Sequence, residues 1–444
     1  MHRGMDRRSR LRVAATVGAA LALLVAACAP PGAASPSQAP AESAGTGSAS
    51  APAASEQTGA QGTVKIGFIS PTTGFVAALG TDMKRGWELY WEQHGTTAGG
   101  VTVETVFEDD AGDPEVALTK ARRLVEEENV DLIAGPILAN TAYAVAEYAA
   151  DQGIPTLQIT GADDLTQRQF DPHVLRVGYT SSQPLFPGGE WAYDQGYRTA
   201  VTLCPDYAFG WESCGGFVTG FTAAGGEVTN QIWHPLGTQD FSTYITQIQA
   251  ESPDVVFVGS AGGPDAILLY QTFVDFGLKD EIPIVGNCCF ADQVFLRELG
   301  EDAAGIRSFM YWVEGRESET VQAFVSAYEE EHGEIPSLYA AGSYAMADVV
   351  ARTLEETGGA IEGTDFITAA RGLSLDDSVY GAITFDDTNN PVGPVYQTVV
   401  AEREDGTYWN VVEETFDEVS QFWTYGKETF LEQPVFSRDF QSHE

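Results

Sequence analysis

Strand and helix patterns take turns twice along this chain, and that rhythm restricts its fold more tightly than any other feature of the sequence. Residues 64–69 make an apolar strand, after which Leu79, Met83, Trp87, Tyr90 and Trp91 recur at helical spacing on one face. Val101, Val103, Thr105 and Phe107 alternate as a half-buried strand does. Asp113 and Pro114 then supply an N-cap and a first helical residue, followed by the stripe Ala117, Ala121, Leu124 and Val125. Buried strands are expected at 131–134 and 155–159, with a helix around 143–148 between them. After Thr180 the rhythm restarts, with strands at 199–203, 227–233, 255–259 and 283–285. Such alternation places parallel strands in sheets covered by helices on both faces. Two runs of it predict an α/β chain of two doubly wound parallel-sheet lobes, whose ligands sit at the carboxyl ends of the strands. Two later helices, around 321–331 and 339–356, fit a return to the first lobe. The tail beyond Thr415, with Phe422, Trp423, Tyr425 and Phe430, is expected to pack across the second lobe or the hinge.

The start of the chain sets the compartment. Arg3, Arg7, Arg8, Arg10 and Arg12 form a basic opening, residues 13–27 are apolar but for Thr16, and small residues precede Cys28. This is the pattern of an export signal spanning 1–27, and Arg7-Arg8 hints at twin-arginine export. Residues 29–62 are almost wholly Ala, Pro, Ser, Gly, Thr, Gln and Glu, too poor in apolar groups to form a core. They read as a tether with a reach of about 30–35 Å. No later segment approaches the roughly 18 consecutive apolar residues of a membrane span. With 23 Lys and Arg against 64 Asp and Glu the chain carries a net charge of −41. That charge repels nucleic acid and anionic lipid and fits an acidic, solvated surface.

Enzyme readings find little support. There is no phosphate-binding Gly-x-x-x-x-Gly-Lys loop, no dinucleotide turn after the first strand and no Gly-x-Ser-x-Gly elbow. Histidines stand singly, and the acidic run Asp109 to Asp113 lacks the spacing of a calcium loop. No metal and no cofactor are expected. Outside a cell, the four cysteines besides Cys28 allow three disulfide pairings. Cys204 closes a strand and Cys214 lies in the following helix, so a local bridge is easy. That leaves the adjacent pair Cys288 and Cys289 for a vicinal bridge. Their Cα atoms are about 3.8 Å apart, short of the roughly 4.4–6.8 Å of ordinary disulfides, so such a bond would be strained.

Several of these stretches carry a family resemblance. IGFISPTTG at 66–74 with Gly80 and Gly86, FEDDAGDP at 107–114, IAGP at 133–136, and Gly161-Ala162 with LTQ at 165–167 resemble successive signatures of the type I solute-binding proteins of the branched-chain amino acid class. So do Phe209-Gly210, Ala224 to Gly226, Asp240 to Ser242 and Pro253-Asp254. LVAAC at 24–28 resembles the lipobox of bacterial lipoproteins, which implies cleavage before Cys28 and lipidation of that residue. The family resemblance implies a type I periplasmic binding protein fold, two lobes joined by a three-stranded hinge. The N-terminal lobe would take 63–180 with 312–382, and the C-terminal lobe 181–311 with 383–444. It implies a monomeric receptor, not an enzyme, that delivers a small molecule to an ABC permease and its ATPase subunits, held to the membrane by its lipid.

Carried over residue by residue, the ligand-binding walls would be Phe75 and Leu79; Leu138, Ala139 and Asn140; and Thr160, Gly161 and Ala162. From the other lobe would come Tyr207, Phe209, Ala261, Gly262 and the segment Asn287 to Phe290, Cys288 and Phe290 above all, with Tyr179 and Tyr339 near the rim. In amino-acid-binding members of the family the position of Cys288 is commonly acidic and holds the ligand's ammonium. A thiol cannot offset a buried cation, so Asp163, Asp164 or Asp292 would have to substitute, or the ligand is an amide, a urea or an organic acid. The alternatives to import are ligand sensing with the same lobes, or a surface thiol enzyme.

Overall fold

In the computed structural model, which describes residues 62–442, the first apolar run is β1 (Thr63–Ser70). The chain divides into two compact units, 1–56 and 57–444, and every described residue belongs to the second. Cys28, the signal at 1–27 and the tether before residue 62 therefore lie outside the described residues.

The first half follows the predicted rhythm: α1 (Ala77–His94), β2 (Thr97–Ala98), β3 (Val101–Asp109), α2 (Pro114–Glu126), β4 (Leu132–Ala134), α3 (Ala139–Asp151), β5 (Thr156–Gln158) and β6 (Val174–Arg176). Asp113 caps α2, its carboxylate accepting from the N–H groups of Glu115 and Val116, as the Asp-Pro pair predicts. The helix can press on β1 because Gly67 has no side chain: a Cβ there would meet Leu124 at 2.7 Å. The second half holds α4 (Leu185–Asp194), β7 (Thr199–Pro205), α5 (Ala208–Ala223), β8 (Glu227–His234), α6 (Ser242–Glu251), β9 (Val255–Val258), α7 (Pro264–Asp275), β10 (Ile284–Gly286), α8 (Gln293–Leu299) and β11 (Arg307–Met310). Then come α9 (Glu319–His332), α10 (Leu338–Thr357), α11 (Gly363–Arg371), β12 (Leu375–Ser378), β13 (Gly381–Phe385), β14 (Pro391–Glu402), β15 (Tyr408–Val419) and α12 (Lys427–Glu432).

These elements build two lobes. A six-stranded sheet, ordered β2-β3-β1-β4-β5-β6, is parallel except for the short β2. A nine-stranded sheet runs β12-β13-β14-β11-β10-β9-β7-β8, with β15 also on β14. Helices cover both faces, giving each lobe a core on either side of its sheet. Ile69, Ala117, Leu124 and Val145 fill one such layer, and Val201, Ile245, Phe273 and Phe295 another. The chain crosses between the lobes after β6, after β11 and after α11, because α9 to α11 return to pack with α1, β2 and β6.

Two features depart from the sequence reading. The second sheet is mixed: β12 to β15 are antiparallel, and the β14–β15 hairpin pairs from Gly393 to Glu402. Because β12 and β13 hydrogen-bond along β14, the last crossover comes before residue 375, earlier than the boundary at 382. The aromatic tail packs on α4 and α5, where Phe422, Phe430, Phe436 and Phe440 cluster with Phe186 and Val218. It also spans the crossover region, since Arg168 donates to the carbonyls of Phe430 and Gln433.

Candidate functional site

Strand carboxyl ends of both sheets open onto one small cavity between the lobes, with about 50 Å³ open to the centres of water-sized spheres. The first lobe contributes Leu79 of α1, Leu138 and Ala139 at the start of α3, Gly161 after β5, and Leu338 and Tyr339 at the start of α10. The second contributes Tyr207 and Phe209 at the start of α5, Ala261 after β9, and Asn287, Cys288 and Cys289 after β10. Tyr179 and Tyr311, from two of the crossovers, stack at 4.7 Å between ring centres and line the cavity together.

Ten of the sixteen ligand-wall expectations thus border the cavity: Leu79, Leu138, Ala139, Gly161, Tyr179, Tyr207, Phe209, Ala261, Cys288 and Tyr339. The other six lie off its wall. Phe75 is 39% exposed, and its ring sits against Gly263 of the facing lobe. Asn140 points outward from α3. Thr160 and Ala162 are buried behind the wall, where their carbonyls accept from Arg176. Gly262 lies next to Tyr339 without bordering the cavity. Phe290 turns into the second lobe's core against Tyr270 and Phe295. Sequence reasoning missed Ser181, Ser213 and Tyr311; the first and third adjoin the crossovers, the one signal that could have marked them.

Among the described residues, no Asp, Glu, Lys, Arg or His borders the cavity. Two helix N-termini reach it from opposite lobes, α3 at Leu138 and Ala139 and α5 at Tyr207 and Phe209, and neither has a side-chain cap. Their first-turn N–H groups and positive dipole ends favour an anion.

Ionisable groups stand just behind. Arg176 is fully buried, donating to the Thr160 and Ala162 carbonyls and to Thr166 Oγ1 at 3.1 Å. Burial lowers its pKa. Across the lobes, Glu212 Oε1 of α5 accepts from the Asp163 N–H at 3.2 Å, and Ser182 donates to Asp163 at 2.6 Å. Burial pushes both carboxyls up. A protonated Glu212 can donate to Ser181 Oγ at 2.8 Å, leaving that hydroxyl's proton for the Gly161 carbonyl at 2.8 Å. The Arg176 cation beside the two carboxyls works against that rise in both acids. On another side of the lobe contact, Arg297 of α8 donates to Asp82 of α1 at 3.1 Å and to the Ile335 carbonyl at 2.6 Å.

None of the three acids considered as ammonium partners faces the cavity, because each is used elsewhere. Asp163 holds Ser182, Asp164 pairs with Arg168 at 3.1 Å, and Asp292 accepts from the N–H groups of Leu338 and Val294. Burial pushes the Asp292 carboxyl up to about 7.

The turn bearing the thiols is fixed by Asn287, whose amide bonds Ser260 through both its oxygen and its nitrogen and also caps Phe290. Cys204 and Cys214 are bonded, linking β7 to α5. The expected vicinal bridge is not formed: Cys288 and Cys289 are free thiols with sulfurs 3.5 Å apart, in keeping with the short reach between neighbouring Cα atoms. Tyr339 donates to Cys289 Sγ at 3.1 Å from the opposite lobe. That mutual contact of the thiols, together with burial, pushes the Cys288 pKa up.

Comparison with known proteins agrees with this architecture. A family model for periplasmic binding proteins matches residues 63–407. Leu/Ile/Val-binding protein homolog 6 of Brucella melitensis biotype 1 is 29% identical over 359 residues, 80% of this chain and 92% of that protein. An ABC transporter substrate-binding protein from Sphaerobacter thermophilus superposes with a TM-score of 0.77 at 32% identity, covering 81% of this chain and 99% of its own. A solute binding protein of an ABC transporter from Rhodopseudomonas palustris BisB5, solved in complex with 3,4-dihydroxy benzoic acid, has a TM-score of 0.77 at 30% identity, over 81% and 98%.

Proposed function

The chain belongs to the periplasmic binding protein family, in its branched-chain amino acid type, and from that premise we propose that its cavity takes a small aromatic carboxylic acid. It is a solute-binding receptor of an ABC transporter, and such receptors act outside the cytoplasm. The observation that carries the ligand class is the wall itself: two uncapped helix N-termini, several aromatic rings and no ionised side chain. A carboxylate can be met by main-chain N–H groups, while Tyr207, Phe209 and Tyr311 offer faces and edges to a ring. An ammonium has no carboxylate partner there, and burying it unpaired is costly. The solved relative that carries 3,4-dihydroxy benzoic acid supports the same class.

Capture is hinge closure. Contacts from both lobes favour the closed arrangement by the difference in ligand affinity between the open and closed states. The permease then reads the closed pair of lobes, and the ATPase subunits supply the energy. Lipidated Cys28 holds the receptor to the outer face of the membrane, and the compound is released unchanged. A Cys28→Ala chain is therefore expected in the medium instead of the membrane fraction.

A second reading, a branched-chain amino acid ligand, has the Brucella relative's name in its favour, with an ammonium resting on a ring face. Isothermal titration decides. Benzoate, 4-hydroxybenzoate or 3,4-dihydroxybenzoate should bind at least about tenfold more tightly than leucine, isoleucine or valine. Preference for an amino acid would overturn the aromatic assignment.

A further inference from the structure

We propose that Cys288 and Cys289 form a reversible oxidation site that sets whether the lobes close on ligand; the proposal rests on reading the cavity as the ligand site. They are the free cysteines among the described residues, whereas Cys204 and Cys214 are bonded. A receptor working outside the cytoplasm meets conditions in which thiols oxidise, and both thiols border the cavity. With sulfurs 3.5 Å apart, bond formation to about 2.05 Å moves them by more than an ångström. The atom that moves is one the other lobe holds: Tyr339 of α10 donates to Cys289 Sγ at 3.1 Å. Oxidation therefore reshapes the wall and disturbs a hydrogen bond between the lobes in one step.

The chemistry needs an external disulfide. The Cys288 thiolate, the less buried of the two, attacks one sulfur of that disulfide and expels a thiol. Cys289, as thiolate, then attacks Cys288 Sγ and expels the second thiol. Two protein thiols have lost two protons and two electrons, and one external disulfide has become two thiols. A bond between neighbouring residues is strained and so readily reduced, as a reversible site requires. With the lobes in contact through Tyr339, Cys289 is buried, and a buried thiol is inert. Reaction thus belongs to the open receptor, and ligand protects.

The test treats the membrane-purified chain with oxidised glutathione, with and without bound ligand, and weighs the tryptic peptide 280–297, which carries both cysteines. The free receptor's peptide should lose two hydrogens and regain them with dithiothreitol, while the liganded receptor's should not change. The oxidised receptor should bind ligand about tenfold more weakly and have a larger radius of gyration by small-angle scattering. A Cys288→Ser variant, which lacks the attacking thiol, should bind equally well before and after oxidant, whereas Cys289→Ala, which lacks the resolving thiol, should retain one glutathione on that peptide until dithiothreitol removes it. A peptide that stays a dithiol, or an oxidised receptor with unchanged affinity and radius, overturns the proposal. If the reduced receptor binds none of the benzoates, the ligand assignment fails separately, and peptide mass and radius still decide the oxidation site.

Discussion

Across the cavity, Leu138, Ala139 and Gly161 of the first lobe face Tyr207, Phe209 and Cys288 of the second, and the two sides are made of different material. The first presents main chain: a helix start and a glycine loop, braced from behind by buried Arg176. The second presents side chains, aromatic rings and thiols on a turn locked by Asn287. Main-chain N–H groups can donate to any carboxylate, whichever acid carries it. Side chains differ in size and polarity, so the second wall decides what the rest of the ligand can be.

The most severe way to break that contrast is to remove the brace. Arg176→Met leaves the Thr160 and Ala162 carbonyls without their donor and Asp163 and Glu212 without a cation. A loss of about 3–5 kcal/mol is expected, read as a lower denaturant midpoint.

Next in size is a change that should stabilise. Asp110, at the end of β3, is buried, and its Oδ2 has no partner. Burial pushes its carboxyl from 3.8 up to about 6. A raised carboxyl contributes stability that is complete below about pH 3.8 and lost as the pH rises through about 6. Asp110→Asn keeps an acceptor for the Gly112 N–H and removes the buried charge. It should gain at most about 3 kcal/mol at pH 7, with the gain vanishing below pH 4 in melts taken across that range.

Gly161→Ala tests how closely the walls approach. A Cβ there would lie 2.5 Å from Ser181 Oγ and 3.2 Å from the Phe209 ring. Ligand affinity should fall about tenfold by calorimetry, and Phe209→Ala in the same chain should lessen the penalty. A Gly161→Ala receptor that binds normally would mean that the walls do not need this contact. The smallest effect belongs to the rim. Phe75→Ala removes a half-exposed ring from Gly263, and ligand release should quicken about threefold in stopped-flow measurements.

Much of this was legible in the order of residues. The period-two and helical patterns located β1, β3, β4, β5 and β7 to β10 closely, since both faces of a doubly wound sheet must be apolar, but not the short β2 and β6. Asp113-Pro114 named a helix start that its carboxylate caps. The β14–β15 hairpin was not legible. Its exposed positions, Glu413, Glu414 and Asp417 among them, look like surface charge, and only its pairing partners make it a sheet edge. Of the six expected wall residues that miss the cavity, all but Gly262 share one cause. A loop's position along the chain shows that it reaches a strand end, but not which way each side chain turns. Phe290 follows the thiols by one residue, yet it faces the core.

By itself the sequence determined the alternation that requires two covered sheets, and the lack of an acid at position 288, because both follow from residue type and spacing along the chain. Only the tertiary structure decided that Asp163, Asp164 and Asp292 are occupied elsewhere, that Tyr311 joins Tyr179, and that Tyr339 reaches Cys289. Apart from the pair Asp164 and Arg168, these are contacts between residues distant in sequence, and side-chain direction at a crossover is set by what the opposite lobe leaves open.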